Sequence, residues 1–468
     1  MIRRAEINDL RGILEIQAAS ITPPWTKESL LNEIENSLFL VFVENGRVSG
    51  YINLKNEDIT AVAVAPGRRR RGIAKVLFNE LFTMAQVKTM FLEVRESNTA
   101  AAALYKSLGF EQVSIRKNYY EKPLEHALVF KKELEMEQYI LAIETSCDET
   151  AAAVLKGENE LLSSVVLSQI DVHKVYGGVV PEIASRCHIE AISGIVDTAV
   201  KEAGIGYDRL TAVAVTAWPG LIGALLVGVG FAKALAFSLG VPLIPVHHIK
   251  GHAASLYLSN SELKPPFLCL VVSGGHTHIL EVRDYTDFKV IGRTRDDAAG
   301  ECFDKVARVL GFPYPGGPEI DRAAKSGDKN AFKFPKPKID GAPFDFSFSG
   351  LKSAVINEVN RARQKGITLN RNDVAAAFSE TVTDILTGAL TGAAKKLGYK
   401  KIAIAGGVSA NSAFREKLKN ASAGLELYLP EPEYCGDNAA FIAKQAYYEL
   451  KAGNIAGLEL NAEATMEI

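Results

Sequence analysis

Along the first 130 residues, apolar positions switch between helical and strand spacing. Leu10 to Ala19 and Lys27 to Ile34 carry the three- and four-residue recurrence of helices. Leu38 to Val43 and Val48 to Asn53 read as strands, and Asn45-Gly46 between them is a strong two-residue hairpin turn. A further strand ends at Val64 and a helix follows Arg71. Then KKELEMEQ, from Lys131 to Gln138, is charged and has no fixed apolar partner. Directly after it a buried-strand pattern begins, YILAIET. The boundary falls here: one domain over residues 1–133, a linker over 134–138, and a second domain over 139–468. Met136 would serve as the start of an independent protein.

From residue 139 the pattern restarts as strand, turn, strand, helix. Two well-separated strands run into glycine-rich turns, at Val271-Val272-Ser273-Gly274-Gly275 and at Ile402-Ala403-Ile404-Ala405-Gly406-Gly407. Such turns bring strand-end backbone close to a ligand, and their recurrence suggests a duplicated α/β core.

Composition narrows this little. At 47% hydrophobic and 23% charged, the 468 residues can bury ordinary globular cores. Apolar runs such as Leu221 to Val229 are short and broken by glycine. The reading is therefore no membrane span, no secretory signal and a cytoplasmic protein. The five cysteines (Cys147, Cys187, Cys269, Cys302 and Cys435) are odd in number and never spaced C-x-x-C, so they read as reduced thiols. Residues up to Glu135 hold 19 basic and 17 acidic side chains, leaving 34 and 38 for the remainder. That balance gives nucleic-acid binding no global support, so an RNA site needs a local basic patch. Lys333-Phe334-Pro335-Lys336-Pro337-Lys338, with its interleaved aromatic, is the best such patch, and an ordinary solvated loop is its equal alternative.

Candidate chemistry in the first domain centres on AVAVAPGRRRRGIAKVLF. An apolar strand reaches a basic loop, and Gly72 opens a helix whose first N–H groups favour a phosphate. Gly67 and Gly72 have P-loop spacing, but Ile73-Ala74 stands where Lys-Ser/Thr is required, so an ATPase reading fails. In the second domain, His248 and His252 stand at i and i+4, neighbours on one helix face and suited to one metal. Asp437, in a turn before a helix, would complete a two-histidine, one-carboxylate set suited to iron(II) or zinc. Spacing alone leaves an ordinary core pair as an even alternative and does not join Asp437 to the histidines. Cys147 reads as a small buried residue and His173 as a loop residue meeting a partner or tRNA. His247 and His276 read as core residues or as supports of the ligand set.

Two resemblances sharpen these readings. Arg69-Arg70-Arg71-Gly72-Ile73-Ala74, with LEVRESNTAAAALYKSLGF and RKNYY after it, resembles the RimI group of GNAT acetyltransferases over about residues 1–133. The resemblance implies acetyl-CoA held by the backbone of Val62, Ala63 and Val64, by Arg70, Arg71, Gly72, Ile73, Ala74 and Lys75, and by Asn98. It implies Glu93 as general base and Tyr105 as general acid, acting on a protein N-terminal amine, with a ribosomal protein as substrate. An amine must be neutral to attack a thioester, which a positioned carboxylate achieves. The sequence departs from the commonest motif in Arg69 and Ala74, both accepted variants.

IETSCDET, GGVVPEIASR, PGLIGALLVG, VHHIKGH, VSGGHT, DDAAGECFDK, PGGPEID, DFSFSGLK and AGGVSAN resemble the TsaD proteins throughout residues 139–468. The implied fold class is α/β overall: a GNAT acyltransferase fold, then a duplicated actin/Hsp70-like (ASKHA) α/β core. The implied activity is transfer of threonylcarbamoyl from threonylcarbamoyl-AMP to the exocyclic amine of the adenosine beside the tRNA anticodon. His248, His252 and Asp437 would hold iron(II), with zinc as the alternative. Val272, Ser273, Gly274, Gly275, His276, Asp304, Gly317, Asp321 and Asn411 would hold the adenylate, and Asp148 and Glu149 would orient it or act in catalysis. The implied partners are tRNA and TsaB-like and TsaE-like proteins. Two rivals stand beside this reading. A metalloprotease would need the glutamate of H-E-x-x-H, absent from His248-Ile249-Lys250-Gly251-His252. The first domain could instead be a non-catalytic acyl-CoA-binding or docking module.

Overall fold

The computed structural model describes residues 1–468 apart from positions 22, 86, 135, 136 and 338, so Met136 and Lys338 lie outside the described residues. The chain forms two compact units, Met1–Glu137 and Gln138–Ile468. Both flanks of the expected linker are tied down: the Leu134 amide donates to the Lys88 carbonyl at 2.9 Å, and the Gly157 amide donates to Gln138 at 2.7 Å.

The first unit runs β1 (Ile2–Arg4), α1 (Leu10–Ala18), α2 (Lys27–Asn36), β2 (Leu38–Glu44), β3 (Arg47–Lys55), β4 (Asp58–Val64), α3 (Ile73–Met84), β5 (Thr89–Arg95), α4 (Thr99–Ser107), β6 (Glu111–Glu121) and β7 (Leu124–Glu133). The seven strands form one sheet in the order β1-β2-β3-β4-β5-β7-β6. Asn45 and Gly46 take φ of 51° and 74°, the left-handed pair that a tight hairpin needs.

β4 is the element that shapes this domain. Its register with β3 slips between Ile59 and Ala61. Ile59 and Val62 therefore face one apolar cluster, while Ala61 and Ala63 face another. Beyond this irregularity β4 parts from β5, the parallel pairing being confined to Asp58↔Phe91 and Ile59↔Leu92. The sheet thus opens into a splay alongside Val62, Ala63 and Val64.

In the second unit the first half comprises β8 (Tyr139–Glu144), β9 (Glu149–Lys156), β10 (Glu160–Ser168), α5 (Ile170–Lys174), α6 (Pro181–Glu202), β11 (Ala212–Trp218), α7 (Ile222–Leu239), β12 (Leu243–His247) and α8 (His248–Ser259). The second half comprises β13 (Phe267–Val272), β14 (Thr277–Val282), β15 (Phe288–Arg293), α9 (Ala299–Leu310), α10 (Gly316–Ala324), α11 (Ser349–Gln364), α12 (Arg371–Leu397), β16 (Lys401–Ala405), α13 (Ser412–Ala421), β17 (Glu426–Tyr428) and α14 (Ala439–Lys451). The sheets are β10-β9-β8-β11-β12 and β15-β14-β13-β16-β17. In each, three antiparallel strands lead and two parallel strands follow. The duplication expected from the two glycine turns is thus a repeated topology, strand for strand. One large apolar cluster, drawing on β8, β9, α8, β13 and α14, joins the halves.

The sequence reading needs correction at α7. Gly223, Gly228 and Gly230 interrupt its apolar runs on paper, yet Ile222–Leu239 is one helix, long and apolar enough to cross a membrane by length and composition. Glycine is tolerated here because the helix lies close against a strand end: a Cβ at Gly228 would stand 2.3 Å from Thr145 Oγ1. One face of α7 packs through Leu225, Val229 and Ala232 into the cluster over β8 and β11.

Candidate functional site

The second unit gathers its chemistry where its two halves meet. His248 and His252 begin α8, which follows the last strand of the first half. Asp437 directly precedes α14, the helix that follows the last strand of the second half. Equivalent helices of the repeat therefore supply the set. His252 Nε2 lies 3.2 Å and His248 Nε2 3.7 Å from Asp437 Oδ1, and one ligand atom from each residue falls within 4.8 Å of the others. Both imidazoles are buried, and neither ring nitrogen of His252 has a hydrogen-bond partner. Nitrogen and oxygen atoms that converge at this distance without hydrogen-bond geometry fit donors aimed at a common cation.

Sequence reasoning missed Glu144, the last residue of β8 and wholly buried. Its Oε2 stands 3.2 Å from His248 Nδ1 and accepts from Thr216 Oγ1 at 2.6 Å, while its other oxygen accepts from the Ser146 amide. A carboxylate on the far nitrogen of a ligating histidine fixes the ring and leaves Nε2 for the metal. The available signal was a charge ending the otherwise apolar run YILAIE. Burial opposes charge on His248, but Asp437 and Glu144 overcome it and raise its pKa to about 9. Burial and the neighbouring His248 lower the pKa of His252. Asp437 is held below the usual carboxylate range, because His248 and His252 outweigh its desolvation.

Asp148 and Glu149 lie where the first sheet turns toward this centre. Burial pushes Glu149 up to about 10, with Asp437 and Asp148 adding to the effect, and the Ser168 hydroxyl donates to it at 3.1 Å. Asp304 is raised by burial although the Gly316 amide, 2.7 Å away, and the Gly317 amide, 3.3 Å away, both donate to its Oδ1. Asp148 adds to that rise, which brings it within electrostatic reach of α9.

The adenylate residues expected from sequence fall on neighbouring elements of the second half. The turn after Val272 closes with the Ser273 amide donating to His276 at 2.8 Å, and Gly274 and Gly275 face open space. Gly406, at φ 89°, approaches so closely that a Cβ would stand 2.4 Å from the Val272 carbonyl. Asp304 caps the start of α10, where Gly317 faces open space. Asp321 Oδ1 accepts from the Ser412 amide and hydroxyl, at 3.1 and 2.9 Å. Asn411 Oδ1 caps α13 through the Phe414 amide at 2.9 Å. The polar side chains therefore hold the frame, while turn backbone lines the open space.

One sequence reading is corrected here. His173 is fully buried, bonded to Gln169 at 3.1 Å and to the Val180 amide at 3.3 Å, so it meets no partner from a loop surface. Phe334 stacks on Phe332 and packs toward the core, and Lys336 pairs with Asp384 at 2.6 Å. Lys333 and Lys336 remain exposed, so the charge of the stretch stays at the surface. His247 caps α8 through the Ile249 amide at 3.2 Å, a supporting role. His276 lies 6.1 Å, ring to ring, from His248. Cys147 is a thiol that burial and the neighbouring carboxylates keep protonated.

In the first unit the splay beside β4 leads to the start of α3. Gly72 takes φ 81° there and Arg70 takes φ 61°. No side chain caps the first turn of Ile73, Ala74 and Lys75. Arg69 is spent internally, on the Val64 carbonyl and Ser20, and Arg68 pairs with Glu44, whereas Arg70 and Arg71 are exposed. Asn98 caps α4 through the Ala101 amide at 3.2 Å. Tyr105 is buried against Phe78, Phe110 and Phe130, and burial raises its hydroxyl pKa. Glu93 points to the other face of β5, opposite Leu92 and Val94 of Tyr105's cluster. The two groups thus flank the sheet from opposite sides. Tyr120 lies within electrostatic reach of both.

These arrangements define a splayed acyltransferase sheet joined to a duplicated α/β domain with a two-histidine, one-carboxylate centre. Residues 10–110 match the GNAT acetyltransferase family, and residues 160–444 match the family described as TsaD, tRNA N6-adenosine threonylcarbamoyltransferase. The chain belongs to the TsaD family and carries a GNAT domain ahead of it. It is similar to the tRNA N6-adenosine threonylcarbamoyltransferase of Clostridium perfringens, 52% identical over 331 residues that span 70% of this chain and 98% of that protein. Its counterpart from Clostridium beijerinckii is 51% identical over the same shares. Among solved structures, the ribosomal-protein-S18-alanine N-acetyltransferase of Escherichia coli is 29% identical over 29% of this chain and 94% of its own, with a TM-score of 0.27. Full-length HypF is 17% identical over 68% of this chain and 47% of its own, with a TM-score of 0.47.

Proposed function

We propose that this chain is bifunctional, modifying tRNA with its larger domain and acetylating a protein N-terminus with its smaller one. The division is residues 1–133, a linker at 134–138, and residues 139–468. The observation that carries the larger activity is the convergence of His248, His252 and Asp437 from equivalent helices of a family-matched repeat. Those three residues would hold one metal, iron(II) in our reading with zinc accommodated, whose charge would polarise the carbamoyl carbonyl. Glu144 keeps His248 oriented. The turn from Val272 to His276, with Gly317 and the Asp304, Asp321 and Asn411 frame, binds threonylcarbamoyl-AMP through backbone. Asp148 and Glu149 orient the bound acyl group or take the proton that the adenosine amine gives up. That amine forms the new N–C bond as the C–O bond to phosphate breaks and AMP leaves. An aromatic amine is a weak nucleophile, so positioning supplies much of the rate.

In the smaller domain, the backbone of Val62, Ala63 and Val64 would carry the pantetheine arm, Asn98 would touch the cofactor, and the Arg70 to Lys75 loop would hold the pyrophosphate. Glu93 takes a proton from the incoming amine and Tyr105 returns one to the departing thiolate. The acceptor we favour is a ribosomal-protein N-terminus. The chain would work in the cytoplasm with TsaB-like and TsaE-like proteins. The test is purified chain with threonylcarbamoyl-AMP, those partners and unmodified tRNA, read by mass spectrometry of the nucleosides. Threonylcarbamoyl-adenosine that disappears with His252→Ala supports the reading. Its absence, with the partners active on another family member, overturns it.

A further inference from the structure

The open face of β5, β7 and β6 holds a cleft of about 450 Å³, lined among others by Glu57, Asp58, Phe91, Glu93 and Arg116. Glu93, the carboxylate that must meet an incoming amine, is already engaged there. Its Oε1 lies 2.7 Å from Arg116 Nη1, and the same carboxylate raises the pKa of the neighbouring Tyr119 hydroxyl. The guanidinium reaches in from solvent: the Arg116 side chain is 58% exposed and that of Glu93 24%.

The backbone explains why Arg116 stands there. It faces Ala127 as the last β6 residue before the register with β7 slips, regular pairing resuming only at Tyr120↔Glu125. Asn118 turns through φ 52° within the slip, its amide donating to His126 Nδ1 at 3.0 Å. The detour sets the Tyr119 ring beside Arg116, with the guanidinium 5.5 Å from its centroid. Arg116 is thus a long side chain at the edge of a bulge, free to leave toward water or toward Glu57 and Asp58 in the same cleft.

An acceptor N-terminus arrives as an ammonium, and ammonium and guanidinium compete for one carboxylate. Exchanging one cation for the other keeps the half-buried Glu93 compensated at every stage, which avoids the cost of an unpaired charge. We propose that Arg116 is a placeholder: it occupies Glu93 in the free domain, marks the position the acceptor ammonium takes, and swings out when that ammonium arrives. This inference rests on the acetyltransferase reading of the first domain. It makes Arg116 a specificity-determining residue, since only an acceptor end that carries a positive charge displaces it.

The test is steady-state acetylation of a hexapeptide with a free N-terminal alanine by the full chain at saturating acetyl-CoA. Arg116→Ala lowers the acceptor KM by about two- to five-fold, the factor a part-exposed ion pair carries. Guanidinium chloride at millimolar concentration raises that KM again, competitively and more than in the unmodified chain. Arg116→Lys, which keeps a cation, stays close to the unmodified KM. A KM unmoved or raised in Arg116→Ala overturns the placeholder, as does loss of transfer in Arg116→Ala that Arg116→Lys retains. No acetyl transfer by the unmodified chain overturns the acetyltransferase reading and this inference with it, a result distinct from transfer with an unmoved KM.

Discussion

Glu144 shows what one buried carboxylate does for a histidine of the candidate metal set. It ends a strand whose six residues are all buried, and His248 compensates its charge at 3.2 Å. Glu144→Gln keeps the volume but removes the charge behind His248. Metal affinity is then expected to fall by about 10- to 100-fold, measured by competition with a chelator. The same variant with unchanged affinity would deny Glu144 that role. Across the other domain, Glu93 and Tyr105 sit on opposite faces of one sheet, and our proposal gives them opposite proton transfers. Glu93→Gln and Tyr105→Phe should each slow acetyl transfer by about 10²- to 10⁴-fold, measured by release of free CoA. Acetyl-CoA that binds normally but is never transferred, even in the unmodified chain, would favour the non-catalytic module.

The helix carrying His248 and His252 packs closely against α14, and one glycine permits it. A Cβ on Gly251 would stand 2.7 Å from Phe441 Cδ2 and 2.9 Å from Ile442 Cδ1 of α14. Phe441 packs against both imidazoles, its ring 4.7 Å from His252 and 5.8 Å from His248. Gly251→Ala therefore pushes α14, and Asp437 ahead of it, away from the histidines. The expected cost is about 1–3 kcal/mol of stability, read by chemical denaturation, together with weaker metal binding. A variant of full stability and full metal affinity would contradict this packing. Much of this geometry was legible beforehand. The His248-x-x-x-His252 spacing gave one face of a helix, and Asn45-Gly46 gave the hairpin. The joining of Asp437 to the histidines was not legible from spacing, because it depends on how the two halves pair. Glu144 was hidden for the same reason: its partner is remote in sequence. α7 was misread because Gly223 and Gly228, which break an apolar run on paper, serve close packing in the fold.

Among the described residues, each unit closes its own apolar cores, two in the first and three in the second. Only positions 135–137 lie between the two tied ends at Leu134 and Gln138. Cores that share no residues predict two separable unfolding transitions, since cooperativity follows shared burial. In calorimetry, added metal should move one transition and added CoA the other, and a single transition moved equally by both would refute the independence. The repeat in the second unit places the candidate metal ligands at the junction of its halves, so that set depends on both halves being folded. Activity in tRNA modification should accordingly be lost with the metal-responsive transition.

The claim that one chain holds two enzymes is tested most directly by assaying both products from one preparation. Unmodified tRNA, threonylcarbamoyl-AMP, the partner proteins, acetyl-CoA and an alanine-led acceptor peptide are supplied together to the full chain, with both products scored by mass spectrometry. The account predicts that the unmodified chain makes threonylcarbamoyl-adenosine and acetyl-peptide. His252→Ala should lose only the first, and Glu93→Gln only the second. Loss of both products in either variant, or persistence of threonylcarbamoyl-adenosine in His252→Ala, would contradict it.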